Sequence, residues 1–139
     1  MPQPSLFLDT AYVYALFNTR DQWDSKAVEW QQIIEADHRR LVTTQLILVE
    51  IGNGLAGIQF RAKAASIIRQ LQDSDLVEVV PISQTTFSRA FELFEERSDK
   101  DWGFTDCFSF VAMQDNNVTD ALTTDAHFRQ AGFNPLLLD

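Results

Sequence analysis

Cysteine and histidine are nearly missing from this chain, which has one cysteine, Cys107, and two histidines, His38 and His127. An internal disulfide is therefore excluded, and no Cys/His cluster has the spacing of a structural zinc site. Positive charge is scarce as well: 11 Lys and Arg stand against 20 Asp and Glu, for a net charge of −9. Phosphate-tracking surfaces are usually basic, so a broad electrostatic grip on nucleic acid is disfavoured. A local strip built from Arg39, Arg40, Arg61, Lys63 and Arg69 stays open, with solvated helix faces as the plainer account of these residues. No run of about 18 uncharged apolar residues occurs. The opening MPQPSLFLDT lacks a basic segment leading into an apolar one. These absences lead to the expectation of a cytoplasmic protein without membrane contact, and the lone cysteine suits a reducing compartment.

Apolar residues, by contrast, are plentiful. At 45% of 139 residues they suffice for a real core, and no linker, repeat or low-complexity tract divides the chain. One folded domain over residues 1–139 is expected. SLFLD reads as a short strand ending on an acid, and AYVYALFN as a helix. A second helix over 23–37 carries Trp23, Ala27, Trp30 and Ile34 at steps of three and four. RRLVTT supplies a second strand, QLILVEIGNGLAG and QFRAKAASIIRQLQDSD two more helices, and LVEVVPIS a third strand stopped by Pro81. QTTFSRAFELFEER is strongly amphipathic, and TDCFSFVAMQD reads as a helix capped by Thr105. DALTTD, AHFRQAG and NPLLLD complete the pattern as strand, helix and strand. Short strands alternating with helices predict an α/β fold whose parallel sheet is covered on both faces.

Four acids stand out against this frame. Asp9 and Asp125 each follow a short apolar strand, and in open parallel sheets ligands bind beyond the carboxyl ends of the strands. Glu50 interrupts an apolar helix, where a carboxylate loses hydration unless it is paired or bound. Asp106 lies in a first helical turn, where the helix dipole alone favours an anion. Each acid also has a plainer use: Asp9 and Asp125 as helix caps, Glu50 at a helix edge or beside an arginine, and Asp101 as an ordinary loop acid. Taken together, clustered carboxylates repel unless a cation compensates, and oxygen-rich sites suit Mg²⁺ or Mn²⁺. Such ions activate water for in-line attack on a phosphodiester without needing cysteine or histidine. His38, His127 and Cys107 are read as structural, and Trp102 as a loop anchor before a base-stacking platform.

The segments LFLDTAYVYALFN, VEIGNGL, WGFTDCFSFVAM and ALTTDAHFRQAGF resemble, in order and spacing, the acidic motifs of PIN-domain ribonucleases. The similarity spans nearly the whole chain and is closest to the small stand-alone VapC-like toxins. It implies a three-layer α/β/α sandwich with a mainly parallel sheet, and a metal-dependent endoribonuclease using Mg²⁺ or Mn²⁺. By position, the resemblance makes Asp9, Glu50, Asp106 and Asp125 the catalytic acids, with Asp9, Asp106 and Asp125 as direct metal ligands. Thr10, Thr124 and Asp101 are the accessory candidates, with ordinary capping as the equal alternative for the two threonines. An RNA substrate, a cognate antitoxin and a homodimer are the implied partners, and Tyr12, Phe17, Trp23 and Trp30 are candidates for an apolar docking patch, with core packing accounting for most of them equally well. The alternative is a catalytically idle PIN fold that binds RNA or protein. A receiver domain is disfavoured because Asp9 is followed by Thr10 and no lysine follows Lys100; a DxD phosphatase is disfavoured because TAY follows Asp9.

Overall fold

A computed structural model describes residues 3–138; Met1, Pro2 and Asp139, which fall within the predicted 1–139 unit, lie outside them. The described elements are β1 (Leu6–Leu8), α1 (Thr10–Phe17), α2 (Asp24–Asp37), β2 (Leu41–Thr44), α3 (Gln45–Gly54) and α4 (Ile58–Asp73). They continue as β3 (Val77–Val80), α5 (Gln84–Glu96), α6 (Phe104–Asp115), β4 (Asp120–Leu122), α7 (Ala126–Gln130) and β5 (Asn134–Pro135). The strands form one sheet in the order β3-β2-β1-β4-β5, and every neighbouring pair is parallel. The sheet with its flanking helices is the α/β/α sandwich expected.

Strand order decides where a site can form. The chain builds from β1 outward through β2 to β3, then returns to the opposite edge of β1 to lay down β4 and β5. The point where the order reverses lies between β1 and β4, which pair as Leu6↔Asp120, Phe7↔Ala121 and Leu8↔Leu122. Loops leaving the two strands there diverge and open a crevice. Leu6, Phe7 and Leu8 are all buried, as a central strand covered on both faces requires.

Helix α6 is the central helix. Every residue from Cys107 to Met113 is buried. Phe110 meets Trp102 and Phe128 edge-on at 5.0 Å each. Trp102 is itself buried, donates Nε1–H to Gln130 and lies under the Arg97 guanidinium, so it anchors the loop ahead of α6. Thr105 does not cap this helix. The N-cap is Gly103, and Asp106 at the third helical position accepts the Gly103 backbone N–H at 3.0 Å. The caps of α3 and α5 are hydroxyls: Thr44 accepts from Ile47 N, and Ser83 forms a reciprocal box with Thr86.

Two apolar expectations change. Tyr12 is buried, and Phe17, Trp23 and Trp30 pack against the core, so these four do not make an open patch. Among the described residues the exposed aromatic side chains are Phe87, Phe91 and Phe94 on α5, which surround Phe104, and Phe60 on α4. The run NPLLL holds only a two-residue strand, because β5 pairs with β4 at Asn134 and Pro135 and then turns away.

Candidate active site

The crevice at the β1/β4 switch point holds a cavity of about 550 Å³ lined by Asp9, Thr10, Tyr14, Glu50, Asn53, Gly54, Thr105, Asp106 and Asp125. All four predicted acids are therefore brought together, and among the described residues no Lys or Arg lines the cavity. Asp101 is exposed and does not line the cavity, nor does Thr124.

Asp9 ends β1 and precedes α1, yet its carboxylate does not cap that helix. Its Oδ2 instead accepts the Thr123 hydroxyl at 2.7 Å across 114 positions of chain. Burial pushes its pKa up to about 7, and the charges of Glu50 and Asp106 push the same way against hydrogen bonds from Thr123 and the Thr10 backbone. A carboxylate so disfavoured as an anion in the metal-free chain is what a cation would relieve.

Glu50 projects from α3, and its Oε1 accepts the Thr10 hydroxyl at 2.8 Å. The Tyr14 hydroxyl donates to the Glu50 carbonyl oxygen at 3.0 Å, tying α1 to α3 below the cavity. The field of the acids reaches Tyr14, whose pKa is raised by burial and then by Glu50 and Asp9. Gly54 is needed for this approach, since a methyl group built there would collide with the Tyr14 hydroxyl and ring. Gly54→Ala should therefore destabilise the fold by about 1–3 kcal/mol, the usual cost of overpacking, measured by urea unfolding.

Asp125 serves as a cap as well as lining the cavity: its Oδ1 accepts His127 N at 2.8 Å, and its own N–H donates to Thr123 Oγ1 at 3.0 Å. Thr123, fully buried, thus links the acids after β1 and β4. It holds the position for which Thr124 was the candidate. In extended backbone successive side chains point to opposite faces, so only one of two adjacent threonines can face the site.

His127, read from the sequence as structural, lies beside two of the acids. It is part-buried, with Nδ1 3.0 Å from Asp106 Oδ2 and 3.5 Å from Asp125 Oδ1. Cys107, adjacent to Asp106, is buried, and its thiol pKa is raised by burial and then by Asp106, which leaves it unreactive.

Known proteins agree with this architecture. The PIN domain profile matches residues 6–134, and the chain belongs to the PIN-domain family. No curated protein matches it in sequence. Among solved structures, VapC20 of Mycobacterium tuberculosis, described as a sarcin-ricin loop cleaving toxin, superposes with a TM-score of 0.78 at 22% identity, covering 94% of this chain and 97% of that one. FitAcB from Neisseria gonorrhoeae gives 0.66 at 17% identity, with 94% and 97% covered. VapBC2 from Rickettsia felis, bound to a DNA fragment from their promoter, gives 0.67 at 14% identity, with 94% and 96% covered. The chain shares the fold of these proteins.

Proposed function

We propose that this PIN domain is a divalent-metal-dependent endoribonuclease. The observation that carries the reading is the convergence of four carboxylates, from the ends of β1 and β4 and from α3 and α6, on one cavity that no Lys or Arg lines among the described residues. An all-oxygen donor set of this kind fits Mg²⁺ or Mn²⁺, and a cation there would offset the burial and the neighbouring acid charges that raise the Asp9 pKa. Asp9, Asp106 and Asp125 would hold the ion. Bound there, it would lower the pKa of an attacking water and offset charge at the scissile phosphate.

The remaining chemistry belongs to the chain. Glu50, steadied by Thr10, orients the attacking water from the α3 side. Thr123 keeps the Asp9 carboxylate aimed into the cavity and fixes the turn that presents Asp125. Partners that orient metal ligands typically matter by about 10–100-fold in affinity, and Thr123→Val should weaken Mn²⁺ binding by that factor, read by calorimetry. Asp101 and Thr124 have no part in this scheme.

The proposed substrate is RNA, the proposed setting a toxin–antitoxin pair, and the proposed assembly a homodimer with a cognate antitoxin as further partner. Support comes from the family and from the fold shared with VapC20 and VapBC2. Among the described residues no helix is long and apolar enough to cross a membrane, and a cytoplasmic location is part of the same proposal.

The test is cleavage of a labelled mixed RNA pool with Mg²⁺, with Mn²⁺ and with EDTA. Cutting with either ion and none in EDTA is expected. The net charge of −9 favours a competing reading, a PIN fold that binds without cutting. A folded protein that binds RNA or a partner under every condition yet never cuts would establish that reading instead.

A further inference from the structure

We infer that His127 is a nitrogen ligand in the proposed metal site and biases it toward first-row transition ions over Mg²⁺. The inference rests on the metal-site reading above and adds a residue type that an all-carboxylate site lacks. One ligand atom from each of Asp106, Asp125 and His127 lies within 4.8 Å of the others. The separations from His127 Nδ1 are 3.0 Å to Asp106 Oδ2 and 3.5 Å to Asp125 Oδ1. Adjacent ligands on an octahedral ion with bonds of about 2.1 Å are separated by about 3.0 Å, so His127 Nδ1 already stands near that spacing from an oxygen of each carboxylate.

The local backbone produces this arrangement. Asp125 is the N-cap of α7 and His127 its second residue, and with the cap bond from His127 N to Asp125 Oδ1 in place the imidazole Nδ1 lies 3.5 Å from the same oxygen. Asp106 is held at the start of α6 by its bond from Gly103 N. Ligation uses the neutral ring with its proton on Nε2, leaving the Nδ1 lone pair for the ion.

The chemical consequence concerns which ion is kept. Mg²⁺ demands oxygen ligands and gives up its waters reluctantly, whereas imidazole favours transition ions, with affinity rising from Mn²⁺ to Co²⁺. Carboxylates alone discriminate weakly between Mg²⁺ and Mn²⁺. One imidazole among them tilts the balance.

The experiment measures dissociation constants of Mg²⁺, Mn²⁺ and Co²⁺ by calorimetry for the wild type, His127→Ala and His127→Asn, with circular dichroism to verify folding. The visible spectrum of bound Co²⁺ is recorded in parallel. Expected in His127→Ala are at least a tenfold loss of Co²⁺ and Mn²⁺ affinity, a change in Mg²⁺ affinity below threefold, and a Co²⁺ band moved to longer wavelength as the stronger-field nitrogen leaves. His127→Asn, which replaces nitrogen with an oxygen donor, should narrow the preference for Co²⁺ over Mg²⁺ in the same direction. Equal loss for all three ions, or an unchanged Co²⁺ spectrum, would overturn ligation and leave His127 as a clamp on Asp106. A wild type that binds none of the three ions would instead overturn the metal-site reading itself.

Discussion

Asp9→Asn should reduce RNA cleavage by more than about 100-fold, beyond the usual effect of changing a partner behind a metal ligand. The substitution keeps the shape of the side chain and leaves an amide oxygen to accept the Thr123 hydroxyl, now at 2.7 Å from the carboxylate. What it removes is charge. Asp9 lines the crevice within the field of Glu50 and Asp106, so the substitution withdraws the charge of one proposed oxygen ligand. Initial rates with Mn²⁺ and a far-ultraviolet dichroism spectrum are the two measurements needed. Activity undiminished in a folded variant would remove Asp9 from the site and the nuclease proposal with it.

The same residue should make the metal-free protein less stable as the pH rises. Asp9 has an ordinary carboxyl value of 3.8 when unfolded and about 7 when folded, with burial as the main cause. Between those values the native state holds a proton that the unfolded state has released, so stability falls with increasing pH. The contribution is fully present below about pH 4 and is lost once the pH passes about 7. At about 1.4 kcal/mol per pH unit the loss is bounded at roughly 4 kcal/mol, lowered by the contact of the cavity with solvent. Urea unfolding in EDTA should find the wild type stronger at about pH 5 than at about pH 8, with Asp9→Asn nearly flat over the same interval. Saturating Mn²⁺ should restore the wild type at the higher pH, because a ligand that binds only the native state stabilises it. A wild type as insensitive to pH as the variant would show that Asp9 carries no such burden.

Most elements were legible from periodicity because the core is organised simply. A strand buried on both faces, such as LFL, can only be a short apolar run, and α5 is strongly amphipathic, although its Phe87, Phe91 and Phe94 stay partly open to solvent around Phe104. The PIN resemblance placed the four acids in order, and the sheet brings all four to one cavity. Details resting on a one-residue offset were beyond the sequence. Thr123 and Thr124 are adjacent and chemically alike, and only the orientation of the extended chain after β4 separates them. The start of α6 shifted from Thr105 to Gly103 because Asp106 reaches back to a backbone N–H, which gives the acid two duties where the sequence offered the hydroxyl as the obvious cap. Asp101 and Asp106 are five apart, yet the anchored Trp102 between them turns Asp101 to solvent. Two residues beyond Asp125, His127 suits a surface side chain as well as one near the site; the 3.0 Å approach of its ring to Asp106 depends on the capped turn at Asp125, which no spacing rule reveals.

The return of the chain to the open edge of β1 also makes the crevice the joint product of two distant stretches of sequence. The stretch up to α6 supplies β1, β2 and β3 together with Asp9, Glu50 and Asp106. The other side of β1 has its neighbour only through β4. That strand and the turn after it bring Thr123 to Asp9 and Asp125 to the crevice, so a chain cut short before β4 would keep three of the acids and lack both the fourth and the hydroxyl that holds the first.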